Sequence, residues 1–509
     1  MAPSFPTASS GGLFTPLQTQ FMTNPPAMLL ALACCLAPAS AAVYHLDSLT
    51  GADSASGLSP ALAWRSLEKA NATELKPGDQ LLFKAGGRWS GRFTPQGGGD
   101  SKARVLIGRY GDGALPRIDG EGKFPDTVQL KNISFVEMAD LEITNRGPKS
   151  APWRTGVSVL ADGVGKMQRI YLQRLFVHDV NGDLRKTHEG CGIFFEAKGD
   201  HPSHFDGLLI EKCRIERTDR NGICQRGNGQ VRSVNVIIRD NILEDIGGDG
   251  IKLWGTNGGI IERNVVRKAR ARCADSAAGI WPFACDDTLI QFNEVSGTKG
   301  NQDGQGFDAD YYCRRSVIQY NYSHDNEGGF ILVCGPGKSF NESPVVRYNI
   351  SVHDGIKSAR VFHFGGKSTN ALVHNNTIVI GADQDLPMIL QTKWEGGVCE
   401  NARFANNLFM VEAGGRATYD FTHGKRNVFD SNLFCGRQVG LPAGTTLSTA
   451  PQLAASVKPA PGLDSLQGCR PADAATFPRG IIINDNGGRD FFGNPLPTDR
   501  PPAIGACEK

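Results

Sequence analysis

The sequence predicts an all-β solenoid, a chain of short strands wound into stacked coils, and three observations predict it. Gly-Ile or Gly-Phe pairs recur at Gly192-Ile193, Gly222-Ile223, Gly250-Ile251, Gly279-Ile280, Gly306-Phe307 and Gly329-Phe330. An asparagine stands between two apolar strand segments at Asn241, Asn264, Asn293, Asn321, Asn349, Asn376, Asn407 and Asn432, at intervals of 23 to 31 residues. Two markers drifting together at one period define a repeat. The units carry β-branched and aromatic strand halves, such as Val236-Ile237-Ile238 and Val317-Ile318-Gln319-Tyr320, in place of helical patterns.

Taken in order, the first 41 residues carry no Lys, Arg, Asp or Glu, and Met28 to Leu36 is a short apolar run ending in Ala39-Ser40-Ala41. This reads as an export leader over 1–41, although it lacks a basic start, and places the protein outside the cytoplasm, secreted or periplasmic. Residues 42–127 read as an N-terminal cap with the first coils. Within them, Ala63 to Ala72 reads as an amphipathic helix with Trp64, Leu67 and Ala70 on one side, suited to closing the open end of a stack. Strands are expected at Val43 to Asp47, Gln80 to Lys84, Val105 to Gly108 and Pro116 to Asp119. Residues 128–435 form the coil core, and 436–509, rich in Pro and Ala, a loop-rich capping segment over the far end or along the side.

The charge balance, Lys+Arg 54 against Asp+Glu 52, gives nucleic acid no footprint. No later run approaches the ~18 apolar residues of a membrane span. A monomer is expected. Eleven cysteines follow the leader, and Cys285, Cys313 and Cys334 trail successive strands closely enough for neighbours to bridge. No CxxC spacing suggests zinc. The asparagine column is a matter of turn chemistry: Asn tolerates left-handed backbone, and stacked amides bond to one another.

Tyr44-His-Leu-Asp-Ser, Gly51-Ala-Asp, Ser59-Pro-Ala-Leu-Ala-Trp-Arg-Ser-Leu, Pro77-Gly-Asp-Gln-Leu-Leu-Phe-Lys, the Asn-marked coils, and the closing Asp490-Phe-Phe-Gly-Asn-Pro and Ile504-Gly-Ala together resemble secreted right-handed parallel β-helix proteins of the pectin-lyase-like superfamily. The resemblance implies a right-handed parallel β-helix with an N-terminal helix cap. It leaves the activity open, because the superfamily holds polysaccharide lyases, glycoside hydrolases, epimerases and silent binding proteins. The Gly-His-Gly element of polygalacturonases is absent, and Asp286-Asp287 follows Cys285 without the rest of that motif.

The chemistry centres on the stretch from Asn301 to Phe330. Phe307 and Ala309 alternate with Asp308 and Asp310, so a period of two places both carboxylates on the outer face. Aligning coils on their Gly-Ile starts puts Lys252 and Trp254, then Trp281 and Phe283, outward before the acids, and Ile331 and Val333 outward after them. Aromatic faces beside carboxylates suit a sugar, the rings covering C–H faces and the acids moving protons or binding hydroxyls. The bland alternative is that loops cover these rings.

Hydrolysis of a polysaccharide is one reading, with no cofactor required. Asp310 would be the acid and Asp308 the base, and a Cα spacing of roughly 6.5 to 7 Å leans toward inversion. The other reading is a lyase or C5-epimerase on a uronate glycan, with Ca²⁺ held by Asp303, Asp308, Asp310, Asp325 and Glu327 and a proton taken by Lys252, Arg360 or His363. A non-catalytic glycan-binding protein is the third. Trp254, Trp281, His324, Asp303, Glu327, Arg360 and His363 are the expected substrate contacts, with Asp249 and Asp275 as further candidates. The pairs His178-Asp179, His324-Asp325 and His353-Asp354 recur at similar coil positions and so read as turn stabilisers, and no Gly-x-Ser-x-Gly nucleophile accompanies them for acyl chemistry.

Overall fold

The structure, a computed structural model, describes residues 41–509 except 228, 301 and 358; the leader reading lies outside the described residues apart from residue 41. Successive coils stack their strands into three long parallel sheets, of 15, 13 and 12 strands, the 12-stranded one beginning only at Asp126–Lys131. The coil starts at Val43–Leu46, which pairs in parallel with Gln80–Lys84 and through it with Val105–Tyr110. Both faces of such sheets cannot be apolar on a solenoid. One face lines the common interior, where Ile251, Ile280, Phe307, Ile331 and Phe362 stack along the 12-stranded sheet and are fully buried.

The helix is shorter than the sequence pattern predicts, spanning Leu67–Asn71. Three competing bonds hold back its start. The Trp64 amide donates to the His45 carbonyl, tying it to the first strand, and Asp53 accepts from the amides of Arg65 and Ser66. Ser66 then caps the helix by accepting from the Lys69 amide. Leu67 and Ala70 are buried, and Trp64 stacks on Tyr44 instead.

The asparagine column is a continuous hydrogen-bonded ladder. In each coil the backbone amide and the side-chain Nδ2 both donate to Oδ1 of the next asparagine, at 3.0 Å each from Asn321 to Asn349, and Nδ2 also donates to a core carbonyl, Ile290 for Asn321. The left-handed backbone expected of these asparagines falls one residue earlier, at Asp240, Arg263, Phe292, Tyr320, Tyr348, Asn375, Asn406 and Ser431. The asparagine is selected for its amide, which satisfies buried groups at a bend that its neighbour makes. Replacing Asn321 by Ala is expected to cost about 1–3 kcal/mol by stranding buried partners, measured as a lower urea midpoint at unchanged slope.

The C-terminal segment lies along the side of the coil. Val457, Leu466, Cys469 and Phe491 pack on Tyr322, Ile350, Val352 and Val379 of the 13-stranded sheet. Asp490 gathers the terminal unit by accepting from Asn494 and from the Glu508 amide. All eleven described cysteines are buried free thiols. Cys285 and Cys313 stack in the core, the Cys285 amide meeting the Cys313 sulfur at 3.4 Å, whereas Cys334 faces the opposite way.

Candidate active site

Two outward columns run along the 12-stranded sheet. One carries Lys252, Trp281, Asp308, Leu332 and His363, and the other Trp254, Phe283, Asp310, Cys334 and Gly365. Ile331 and Val333, expected outward, belong to the core. The reason is a one-residue offset: Gly329 pairs with Gln305, so the Gly-Phe marker of that coil stands one place early.

Asp308 and Asp310 point out of the coil, but into a cavity and not onto an open face. Segments carrying Ser276, Ala277, Ala278, Gln302 and Asp303 and the ring of Trp394 enclose about 530 Å³ above the strands. Lys186, Tyr311, Arg360 and His363 complete its walls. Asp308 is 3% exposed and Asp303 8%. Gly365 is required here, because a Cβ would stand 2.5 Å from the Trp394 ring, which lies against the strand and meets His363 edge-on at 5.3 Å.

Four carboxyls line this space, and burial raises three of them, Asp303, Asp308 and Asp310, while Asp249 is held low. Asp308 is pushed well above the carboxylate range, burial being reinforced by Asp303 and Asp310. One of its oxygens is wholly occluded and unpartnered. Asp303 rises by burial to about 6, with no hydrogen-bond donor among the causes of its shift. Asp310 also rises by burial to about 6, yet it accepts from the Tyr311 amide at 2.6 Å and faces the Cys334 thiol at 3.1 Å, both of which favour its anion.

Trp281 is fixed as a wall. Its Nε1 donates to Asp249 at 2.9 Å, and the same oxygen accepts from the Ala278 amide. Asp249 is itself held by Arg220 at 2.9 Å, both side chains being wholly buried. Burial alone would raise Asp249, but Arg220, Lys186 and Lys252 outweigh it and keep the carboxyl low. Asp275 bonds the other side of Arg220 and the Lys186 amide, outside the cavity.

Of the residues chosen from sequence, Asp249, Asp303, Asp308, Asp310, Trp281, Arg360 and His363 line the cavity. Lys252 does not. It is buried beside Trp281 in an ion pair with Glu189 at 2.6 Å; burial opposes its charge, but Glu189 and Asp249 among others outweigh that and hold it protonated, unfit as a base. Trp254 packs edge-on to Phe283, one contact removed from the cavity. His324 lies on the 13-stranded sheet, stacked on Tyr322 and paired with Asp325. Glu327 is held by Lys299 and the Gly300 amide. The five acids proposed for calcium therefore do not converge; among the described residues no group of three or more His, Cys, Asp or Glu side chains is arranged to hold a metal ion. Asp325 bridges His324 and His353, and because His324 pairs in register with Val352, the His353-Asp354 pair is displaced by one residue from the other. Lys186, Trp394 and Tyr311 escape sequence reasoning: Lys186 opens a short 3-10 helix and the other two follow strands into connecting turns, none with a period to read.

Three parallel sheets coiled about one interior, with a walled acidic cavity on one of them, define the class. The chain has the right-handed parallel β-helix fold of the pectin-lyase-like superfamily. A family model described as a right-handed β-helix region matches residues 191–379. A lacto-N-biosidase of Bifidobacterium longum is 26% identical over 78% of this chain and 30% of its own length. The crystal structure of a GH136 lacto-N-biosidase from Eubacterium ramulus superposes with a TM-score of 0.60 at 26% identity, covering 68% of this chain and 65% of that one. XylC in complex with xylose shares the fold at 12% identity and a TM-score of 0.52, covering 91% and 98%. The chain thus spans under a third of the curated relative and just under two thirds of the solved one.

Proposed function

We propose that the protein is a carbohydrate-active enzyme that hydrolyses a glycosidic bond in the cavity above Asp308 and Asp310. The observation that carries this reading is three carboxyls, none with an ordinary acidity, enclosed with the rings of Trp281 and Trp394. Similarity to two lacto-N-biosidases supports hydrolysis over elimination, and makes a lacto-N-bioside the first substrate to try. Asp310, with two donors on it, serves as the anion that attacks the anomeric carbon or activates water. Asp303, raised without such donors, delivers the proton to the leaving oxygen. Asp308 keeps its proton beneath them and can donate it in a hydrogen bond. This reverses the expectation that Asp310 is the acid.

Elimination or C5-epimerisation on a uronate keeps one observation: Arg360 and a neutral His363 line the same cavity, burial lowering the His363 imidazole to about 3. So weak a base places that reading second. Product analysis on an aryl lacto-N-bioside and on uronate glycans separates the readings. New reducing ends without ultraviolet absorbance from an unsaturated sugar are expected. Unsaturated product would establish the lyase, loss of turnover on chelation would bring in calcium, and binding without turnover on every glycan would leave a binding protein.

A further inference from the structure

The cavity is continued along the sheet by a ring-and-arginine platform. Phe283 borders the cavity and meets Trp254 edge-on at 5.0 Å. One coil further, the Arg226 guanidinium lies over Trp254 at 6.0 Å, Phe194 at 5.8 Å and Trp153 at 4.8 Å. Register puts Trp254 two coils and Arg226 three coils before Asp310, roughly 10 and 14 Å along the coil axis. Glu189 fixes Arg226 at 3.2 Å, with Glu196 at 3.8 Å. Trp153 is 41% exposed and sits at φ 61°, a left-handed backbone that a bulky residue adopts only at a cost. Packing explains the buried rings, but burial of apolar area does not account for an indole held out at that cost.

We infer that Trp153, Arg226 and Trp254, backed by the buried Phe194, form a distal glycan subsite, taking sugar units of the same chain beyond the bond cut at Asp310. The inference rests on the proposed function for the identity of the ligand. Flat rings cover the C–H faces of pyranoses, while Arg226 and Glu196 offer a donor and an acceptor to hydroxyls. Continuity through Phe283 is what assigns the platform to a glycan and not to a separate partner. The enzyme then prefers a long chain to a short one.

The test compares Trp153→Ala with the parent on two probes: an aryl lacto-N-bioside, and oligosaccharides that extend the same disaccharide by four or more sugars at either end. The ratio of kcat/KM for long over short is expected to fall about fivefold to tenfold in Trp153→Ala, and to be kept within about twofold in Trp153→Phe. Because both substrates meet the same sample, partial unfolding cancels in the ratio. An unchanged ratio for every extension, or an equal loss in Trp153→Phe, overturns the subsite. Should the short probe show no turnover, the proposed function fails by itself. The ratio is then taken from Kd values measured by calorimetry on the same glycans, where the same fall supports the subsite and an unchanged ratio overturns it.

Discussion

Asp310→Asn is expected to lower kcat about 10³-fold at pH 7 with KM changed little, and at the same time to make the protein more stable there. The first effect follows from removing a group that acts on the reacting bond, which is worth about 10² to 10⁴. The second has the opposite sign because the carboxyl is raised by burial from its ordinary value to about 6 in the folded chain. A folded-state pKa above the unfolded one means that the native protein binds more protons between the two values. The stability from this group is full below about pH 4 and is lost as pH rises through 6, an amount of about 3 kcal/mol. Asn carries no charge to bury, so the variant escapes that loss. Urea unfolding at pH 4 and pH 7.5 checks it: near-equal stabilities at the lower pH, the variant ahead at the higher. Asp308→Asn shares the stability gain, since Asp308 is raised further for the same reason. A variant no more stable at pH 7.5 would mean that the cavity is wetter than its walls suggest.

Asp249→Ala is expected to cost about 3–5 kcal/mol, the loss that follows when one member of a buried ion pair is left alone. Arg220 and Asp249 are both wholly excluded from solvent. Arg220 would keep Asp275 at its other side, which sets the lower end of the range. The same change removes the acceptor that Trp281 Nε1 and the Ala278 amide share, so one wall of the cavity loosens. Denaturant unfolding reads the stability, and a loss below about 1 kcal/mol would contradict the assignment. The pair thus serves the site indirectly, by holding an aromatic wall upright.

The coil was legible because its causes are periodic. A strand period of two and a coil period near 28 both leave marks in a single sequence, and the asparagine ladder repeats the second mark in hydrogen bonds. Alternation alone turned Asp308 and Asp310 outward correctly. The site was only partly legible because its other half is not periodic. Trp394 reaches the cavity from a turn three coils after the acids, seated by Gly365, and nothing in its local sequence marks it. Lys252 stood in the right column, but its charge is claimed by Glu189, 63 residues upstream. The one-residue offset at Gly329 defeated alignment on Gly-Phe starts, because a turn can take up one residue without changing the pairing that follows.

The most direct test of a glycosidic site above these acids is a crystal structure of Asp310→Asn soaked with an oligosaccharide that contains a lacto-N-bioside unit. The sugar is expected in the cavity between Trp281 and Trp394, with a glycosidic oxygen within about 3 Å of the Asp303 carboxyl. A glycan bound elsewhere on the coil, leaving Asp303, Asp308 and residue 310 untouched, would contradict the account.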